Sequence, residues 1–105
     1  MIAPRGLFIM DNPYIGELSP QYGDLAALAG AEVYKALGAP YNIGYNSAVS
    51  SGTHCAVRPE WSAPLKSSIE KFLTGTGHLA ESIDPNAVQN EQLSDWRDWT
   101  TPALN

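Results

Sequence analysis

A histidine in a Ser/Gly loop and an aspartate closing an apolar run are the residues of this chain best suited to chemistry. His54 sits in Ser50-Ser-Gly-Thr-His-Cys-Ala-Val-Arg-Pro59, after a segment that reads as a strand and before one that reads as a helix. Asp11 follows the run Gly6-Leu-Phe-Ile-Met10. A general base on one loop with a carboxylate on its neighbour is the base-and-orienter half of a hydrolase triad. The imidazole takes and returns a proton, and the carboxylate holds its tautomer. The order acid-then-His is that of the Ser…Asp/Glu…His hydrolases. A lone loop histidine is also an ordinary surface residue, so position alone does not decide. The sequence shows no Gly-x-Ser-x-Gly elbow, and Ser50, Ser51 and Thr53 lie inside the His loop rather than between a strand and a helix. Cys55 adjoins His54, but neighbours on an extended loop point to opposite sides, which argues against a Cys–His pair.

The elements that must carry these loops follow from hydrophobic spacing. Gly6–Met10, followed by Asp11-Asn12-Pro13, predicts a strand covered on both faces and then a turn. Ser19-Pro20 reads as an N-cap and first helical residue. Leu25, Leu28, Ala29, Val33, Ala36 and Leu37 then mark one face of a helix that Gly38 and Pro40 stop. Residues 41–47, carrying Ile43 and Tyr45, predict a second strand. Trp61, Leu65, Ile69, Phe72 and Leu73 predict a second helix, capped by Ser62 and ended by Gly75 and Gly77, with Glu70 and Lys71 facing solvent. The tail, about 76–105, has no strong period. Trp96, Trp99 and Leu104 are expected to pin it to the surface, although an exposed Trp pair can also stack on sugar rings.

The order strand–helix–strand–His loop–helix–tail predicts an α/β fold whose parallel strands are joined by a crossover helix. Two strands cannot cover both faces of a parallel sheet. The chain is therefore expected either to associate through its sheet edge or to be the C-terminal slice of a larger α/β domain.

The 105 residues are 44% hydrophobic and 16% charged, which suits a globular chain and not a disordered one. Six Lys/Arg against eleven Asp/Glu, net −5, leave too few cations for a phosphate-tracking groove, so no nucleic-acid partner is expected. No apolar run approaches the roughly 18–20 residues of a membrane span, and no membrane partner is expected. Pro4 and Gly6 interrupt the start, which does not read as a signal peptide. One cysteine and two histidines, His54 and His78, exclude an internal disulfide and a multi-Cys zinc site; no metal or other cofactor is expected.

Several stretches, in order and spacing, resemble the glucuronoyl esterases, carbohydrate esterase family fifteen. Ile2-Ala-Pro-Arg-Gly-Leu-Phe-Ile-Met-Asp-Asn12 resembles the strand entering the family's Asp/Glu-Asn turn. Glu32-Val-Tyr-Lys-Ala-Leu-Gly38 resembles a helix end, and Asn42-Ile-Gly-Tyr45 the next strand. Gly52-Thr-His-Cys55 resembles the His-Cys signature, Lys71-Phe-Leu-Thr-Gly75 the last helix, and Asp98-Trp-Thr-Thr-Pro-Ala-Leu104 the end of the catalytic domain. The resemblance implies the C-terminal portion of an α/β-hydrolase three-layer sandwich, occupying residues 1–105. It implies a metal-free serine esterase, secreted in its parent form, that cleaves the ester between xylan glucuronate and lignin alcohols. His54 is then the base. Asp11 matches the place of an acid that some members carry, and the serine elbow, with the family's usual catalytic Glu, lies upstream of the residues matched here. A chain carrying the base without the nucleophile is expected to be inactive alone. Cys55 resembles a cysteine that many members bond to a cysteine of the elbow. Another family cysteine has its place near Asp24.

The chain also departs from the pattern. Gly16-Glu-Leu-Ser-Pro20 stands where the family often reads Asp-Trp-Leu-Gly-Pro, so Glu17 replaces a Trp that helps hold the uronate, and Tyr14 is the nearby ring that could contact sugar. Arg58 could meet a carboxylate or simply pair with Glu60. The alternatives left open are a non-catalytic carbohydrate-binding or pseudo-enzyme piece and another α/β-hydrolase, such as an acetyl-xylan esterase or a peptidase.

Overall fold

The structure is a computed structural model and describes residues 2–16, 20–47, 50–53, 58–76, 79, 83–84 and 92–104. The apolar run forms strand β1 (Leu7–Met10). Helix α1 (Pro20–Ala36) carries the chain back, and a single 3-10 turn at Pro40–Asn42 leads into β2 (Ile43–Asn46). The two strands pair in parallel, Leu7 opposite Ile43 and Met10 opposite Asn46, as a helical crossover requires.

Helix α1 ends where the sequence puts its stop. Gly38 has φ +70, and the turn closes through bonds from the Gly38 N–H to the Lys35 carbonyl and from the Ala39 N–H to the Tyr34 carbonyl. This paired closure needs a left-handed residue, which glycine supplies without a Cβ clash. Helix α2 (Ser62–Thr74) ends likewise at Gly75. Its start differs from expectation. A 3-10 turn at Pro59–Trp61 feeds straight into it, so Ser62 is already helical and caps nothing.

The helices lie on opposite faces of the sheet. The pleat sends Leu7, Ile9, Ile43 and Tyr45 to one side, where α1 covers them and Ile43 and Tyr45 are buried. On the other side Phe8 lies against Gly44, and the Phe72 ring of α2 occupies the space a Cβ at Gly6 would take. Lys71, expected in solvent, donates to the Tyr41 carbonyl at the exposed surface and so links α2 to the turn before β2.

Both helix faces follow the hydrophobic periodicity only in part, with Leu25 and Phe72 packed inward as expected. Among the described side chains of α1 the buried ones are Asp24, Leu25, Ala27 and Tyr34, while Val33 and the following Leu37 are exposed, lining a groove with Trp99, Pro102 and Leu104. Small residues let the helix approach closely, and small residues carry little hydrophobic signal. In α2 the stripe Leu65, Ile69 and Leu73 is exposed, Leu73 to 79%. The helix seats instead through Phe72 and the buried Ser68.

A third strand, β3 (Ile83–Asp84), pairs in parallel with β2, Tyr45 opposite Ile83, giving the order β1-β2-β3. β2 is therefore not the last strand, contrary to expectation. Two residues are too short to register as a period. α3 (Leu93–Trp96) is a single turn that rests on α1. The outer edge of β1 stays unpaired among the described residues, and Met10 is 39% exposed. A cleft of about 650 Å³ opens there between β1 and α1, lined by Ile2, Leu7, Ile9, Met10 and Val33 among others. Among the described residues no helix is long and apolar enough to cross a membrane.

Candidate active site

β1 and β2 deliver their carboxyl ends to one place. The ladder runs one step beyond β1, the Asp11 N–H donating to the Asn46 carbonyl at 2.9 Å. Asp11 therefore stands at the rim of the sheet, half-buried, where open α/β sheets gather their functional groups. Its carboxylate is held from two sides. Oδ1 accepts the Asn12 backbone N–H at 2.8 Å, and Oδ2 accepts the Tyr45 hydroxyl at 2.8 Å.

Asn12 joins this turn to the loop that follows β2. Its amide nitrogen donates to the Ser51 carbonyl at 2.7 Å and its amide oxygen accepts the Ser51 N–H at 3.0 Å, so one side chain pairs with both backbone groups of Ser51. A further bond reaches the Thr53 carbonyl at 3.3 Å. The Tyr14 N–H also donates to the Asn12 amide oxygen, at 3.2 Å, which closes the turn locally. Tyr14 itself is 64% exposed, with its ring beside Gly52.

Behind Asp11 lies a buried polar layer. Asp24 of α1 and Ser47 after β2 are fully buried, and the Ser47 hydroxyl donates to Asp24 Oδ1 at 3.2 Å. The Tyr45 phenol lies between Asp24 and Asp11. Burial first, then hydrogen bonds to the Asp24 and Asp11 carboxylates, push its pKa well above the usual phenol value. Gly23 makes the arrangement possible. A Cβ there would fall 2.9 Å from Asp11 Oδ2 and 3.0 Å from the Tyr45 oxygen.

Of the residues singled out from sequence, the structure places Asp11 and Tyr14 on one turn facing Ser51–Thr53. His54, Glu17, Cys55 and His78 lie outside the described residues. Among the described residues no group of three or more His, Cys, Asp or Glu side chains is placed to hold a metal ion. Asn12, Tyr45, Asp24 and Gly23 were not singled out for the site. The signals available were an Asp-Asn-Pro turn signature and a tyrosine at the carboxyl end of a strand.

No protein-family model matches the chain. Individual proteins do. The 4-O-methyl-glucuronoyl methylesterase of Hypocrea jecorina is 35% identical over 105 residues, 100% of this chain and 22% of its own length. That of Phanerochaete carnosa is 31% identical over 108 residues, 100% of this chain and 26% of its own. The solved glucuronoyl esterase catalytic domain from Hypocrea jecorina aligns with a TM-score of 0.78 at 33% identity, over 99% of this chain and 28% of that one. Over its whole length the chain is thus similar to a part of the glucuronoyl esterases. It spans about a quarter of the length of the curated relatives it matches. Its parallel sheet with α1 and α2 on either face is part of the α/β-hydrolase fold of the glucuronoyl esterase catalytic domain.

The tail aromatics stay partly exposed, Trp96 to 58% and Trp99 to 43%, while the tail meets α1. Trp96 meets Tyr22 of α1 edge-on, ring centroids 6.0 Å apart. Arg97 lies 5.4 Å from the Trp99 ring and pairs with Glu32 of α1 at 3.2 Å. Arg58 pairs with Glu60 at 3.5 Å on the exposed surface, an arrangement of little energetic consequence.

Proposed function

We propose that this chain supplies the proton-handling part of a carboxylic ester hydrolase site acting on glucuronate esters of the kind that link xylan to lignin alcohols. His54 is the general base and acid, Asp11 orients it, and the attacking serine comes from polypeptide outside this sequence. Asn12 carries the reading: its amide fastens Ser51–Thr53, the residues that run into His54, to the turn that bears Asp11. The absence of a serine elbow from the sequence and the quarter-length match to the methylesterases support a nucleophile supplied from elsewhere.

In the reaction so proposed, the serine hydroxyl gives its proton to the His54 imidazole as its oxygen attacks the ester carbonyl. The imidazolium then protonates the departing alcohol, and a water enters by the same route in reverse. Tyr14, exposed beside Gly52, and Glu17 are the candidate contacts for the sugar. The parent enzyme works outside the cell, where its substrate lies.

The test expresses this sequence together with the coding region that precedes it and assays hydrolysis of a glucuronate benzyl ester. His54→Ala should lower kcat by roughly 10³- to 10⁶-fold and Asp11→Asn by roughly 10- to 10⁴-fold. Near-normal rates in His54→Ala overturn the assignment of the base. The 105-residue chain alone should show no turnover. Hydrolysis by it that His54→Ala abolishes places a nucleophile within these residues.

A further inference from the structure

A core that only had to be filled would not place carboxylates beside a phenol. Burying polar groups costs free energy that an aliphatic side chain avoids. Here Tyr45 is only 3% exposed, Asp24 is fully buried, and both lie directly behind the carboxylate at the end of β1. The phenol donates to Asp11 Oδ2, 2.8 Å away, with the Asp24 carboxylate also within its hydrogen-bonding reach. The Ser47 hydroxyl donates to Asp24 from the far side. Gly23 leaves the gap in α1 through which phenol and carboxylate meet.

We propose that Tyr45 is a positioning residue for Asp11 in ester hydrolysis: its hydroxyl, backed by Asp24, fixes the rotation of the Asp11 carboxylate so that its free lone pairs face the loop leading to His54. The inference rests on the reading of His54 and Asp11 given above. With Oδ1 on the Asn12 N–H and Oδ2 on the phenol, the carboxylate plane is set by two bonds from two elements. Neither bond alone fixes that plane, since a carboxylate held at one oxygen still turns about χ2. Among the described residues, Tyr45 from β2 bonds the Asp11 carboxylate, and Asp24 from α1 lies on the other side of the phenol. An orienting carboxylate that rotates away leaves the imidazole free to take the wrong tautomer, which lowers turnover without weakening substrate binding.

The experiment is a double-mutant cycle in the same hydrolytically active preparation, with kcat and KM measured separately. Tyr45→Phe should lower kcat by about 10- to 100-fold with KM within about twofold. In an Asp11→Asn background the same change should cost almost nothing, because the group it positions is gone. An equal loss in both backgrounds, or an unchanged kcat, overturns the proposal. A second measurement does not need the Tyr45 variant to fold. In the 105-residue chain, the slowly exchanging phenol proton of Tyr45 should move upfield in the NMR spectrum on Asp11→Asn, since a bond to a neutral amide is weaker than one to a carboxylate. A proton that does not move donates elsewhere, and the proposal fails. His54→Ala separates the two readings. If it abolishes hydrolysis while the cycle is additive, only the role of Tyr45 is lost. If it leaves hydrolysis intact, both readings go.

Discussion

Asn12 and Ser51 pair as though they were neighbours in a sheet: the side-chain amide of one meets both the N–H and the carbonyl of the other, at 3.0 and 2.7 Å. A single residue thereby replaces a strand where the sheet has run out. It joins segments 39 positions apart in sequence.

That joint is the first thing to break. Asn12→Ala strips both bonds to Ser51 and the one to Thr53, and should destabilise the chain by about 1–3 kcal/mol. Amide hydrogen exchange at Ser51 should accelerate by more than the global change accounts for. Unchanged protection at Ser51 would show that the loop is held by other means.

Two glycines of α1 should respond in opposite ways to alanine. Gly30→Ala meets only the terminal Ile43 methyl at 3.4 Å, and should be neutral or stabilising by up to about 1 kcal/mol from helix propensity. Gly23→Ala forces a methyl against the Asp11–Tyr45 bond and should lose about 1–3 kcal/mol despite the same propensity gain. Urea midpoints of the two variants check this, and similar midpoints would remove Gly23 from the site's design.

Alkaline stability should carry the mark of Tyr45. Its folded pKa is raised, by burial first and the two carboxylates next, so the neutral phenol is favoured in the folded chain. That contribution is complete below the unfolded value of about 10 and is lost as pH rises from there toward the folded value. Tyr34, raised by burial and partly offset by Arg5, adds in the same direction. Tyr45→Phe should therefore flatten the fall in urea midpoint between about pH 9 and pH 11 without abolishing it. An unchanged slope contradicts the buried-phenol account.

The tail should detach on loss of one cation. Arg97→Ala removes the pair with Glu32 and the contact with Trp99, partly exposed interactions worth about 0.5–1 kcal/mol together. Tryptophan emission should shift to the red and proteolysis near Trp99 should quicken. Emission at the original wavelength would mean that Val33, Leu37 and their apolar contacts suffice.

The sequence disclosed the frame of this structure and the location of its rim. A continuous apolar run, a Gly stop at 38 and a Gly stop at 75 are strong local signals, and the elements they mark are where the sequence puts them. Of the helix faces only Leu25 and Phe72 were legible, and the rest was not for a physical reason. Contact in α1 is made by Gly23, Ala27 and Gly30, whose virtue is smallness, and by Asp24, whose burial depends on partners from distant positions. In α2, the apolar stripe of Leu65, Ile69 and Leu73 faces outward. Periodicity reports that a stripe exists and says nothing of what lies opposite it. Asp11 was legible as the end of a strand. Asn12 and Tyr45 were not, because their roles arise only when β1 and β2 lie side by side.

The bare flank of β1 has a chemical meaning. Among the described residues, the backbone groups of Leu7–Met10 on that side have no strand partner, so the edge is open to pairing with another strand, while the Asp11 carboxylate stays held from within the chain by the Asn12 N–H and the Tyr45 hydroxyl.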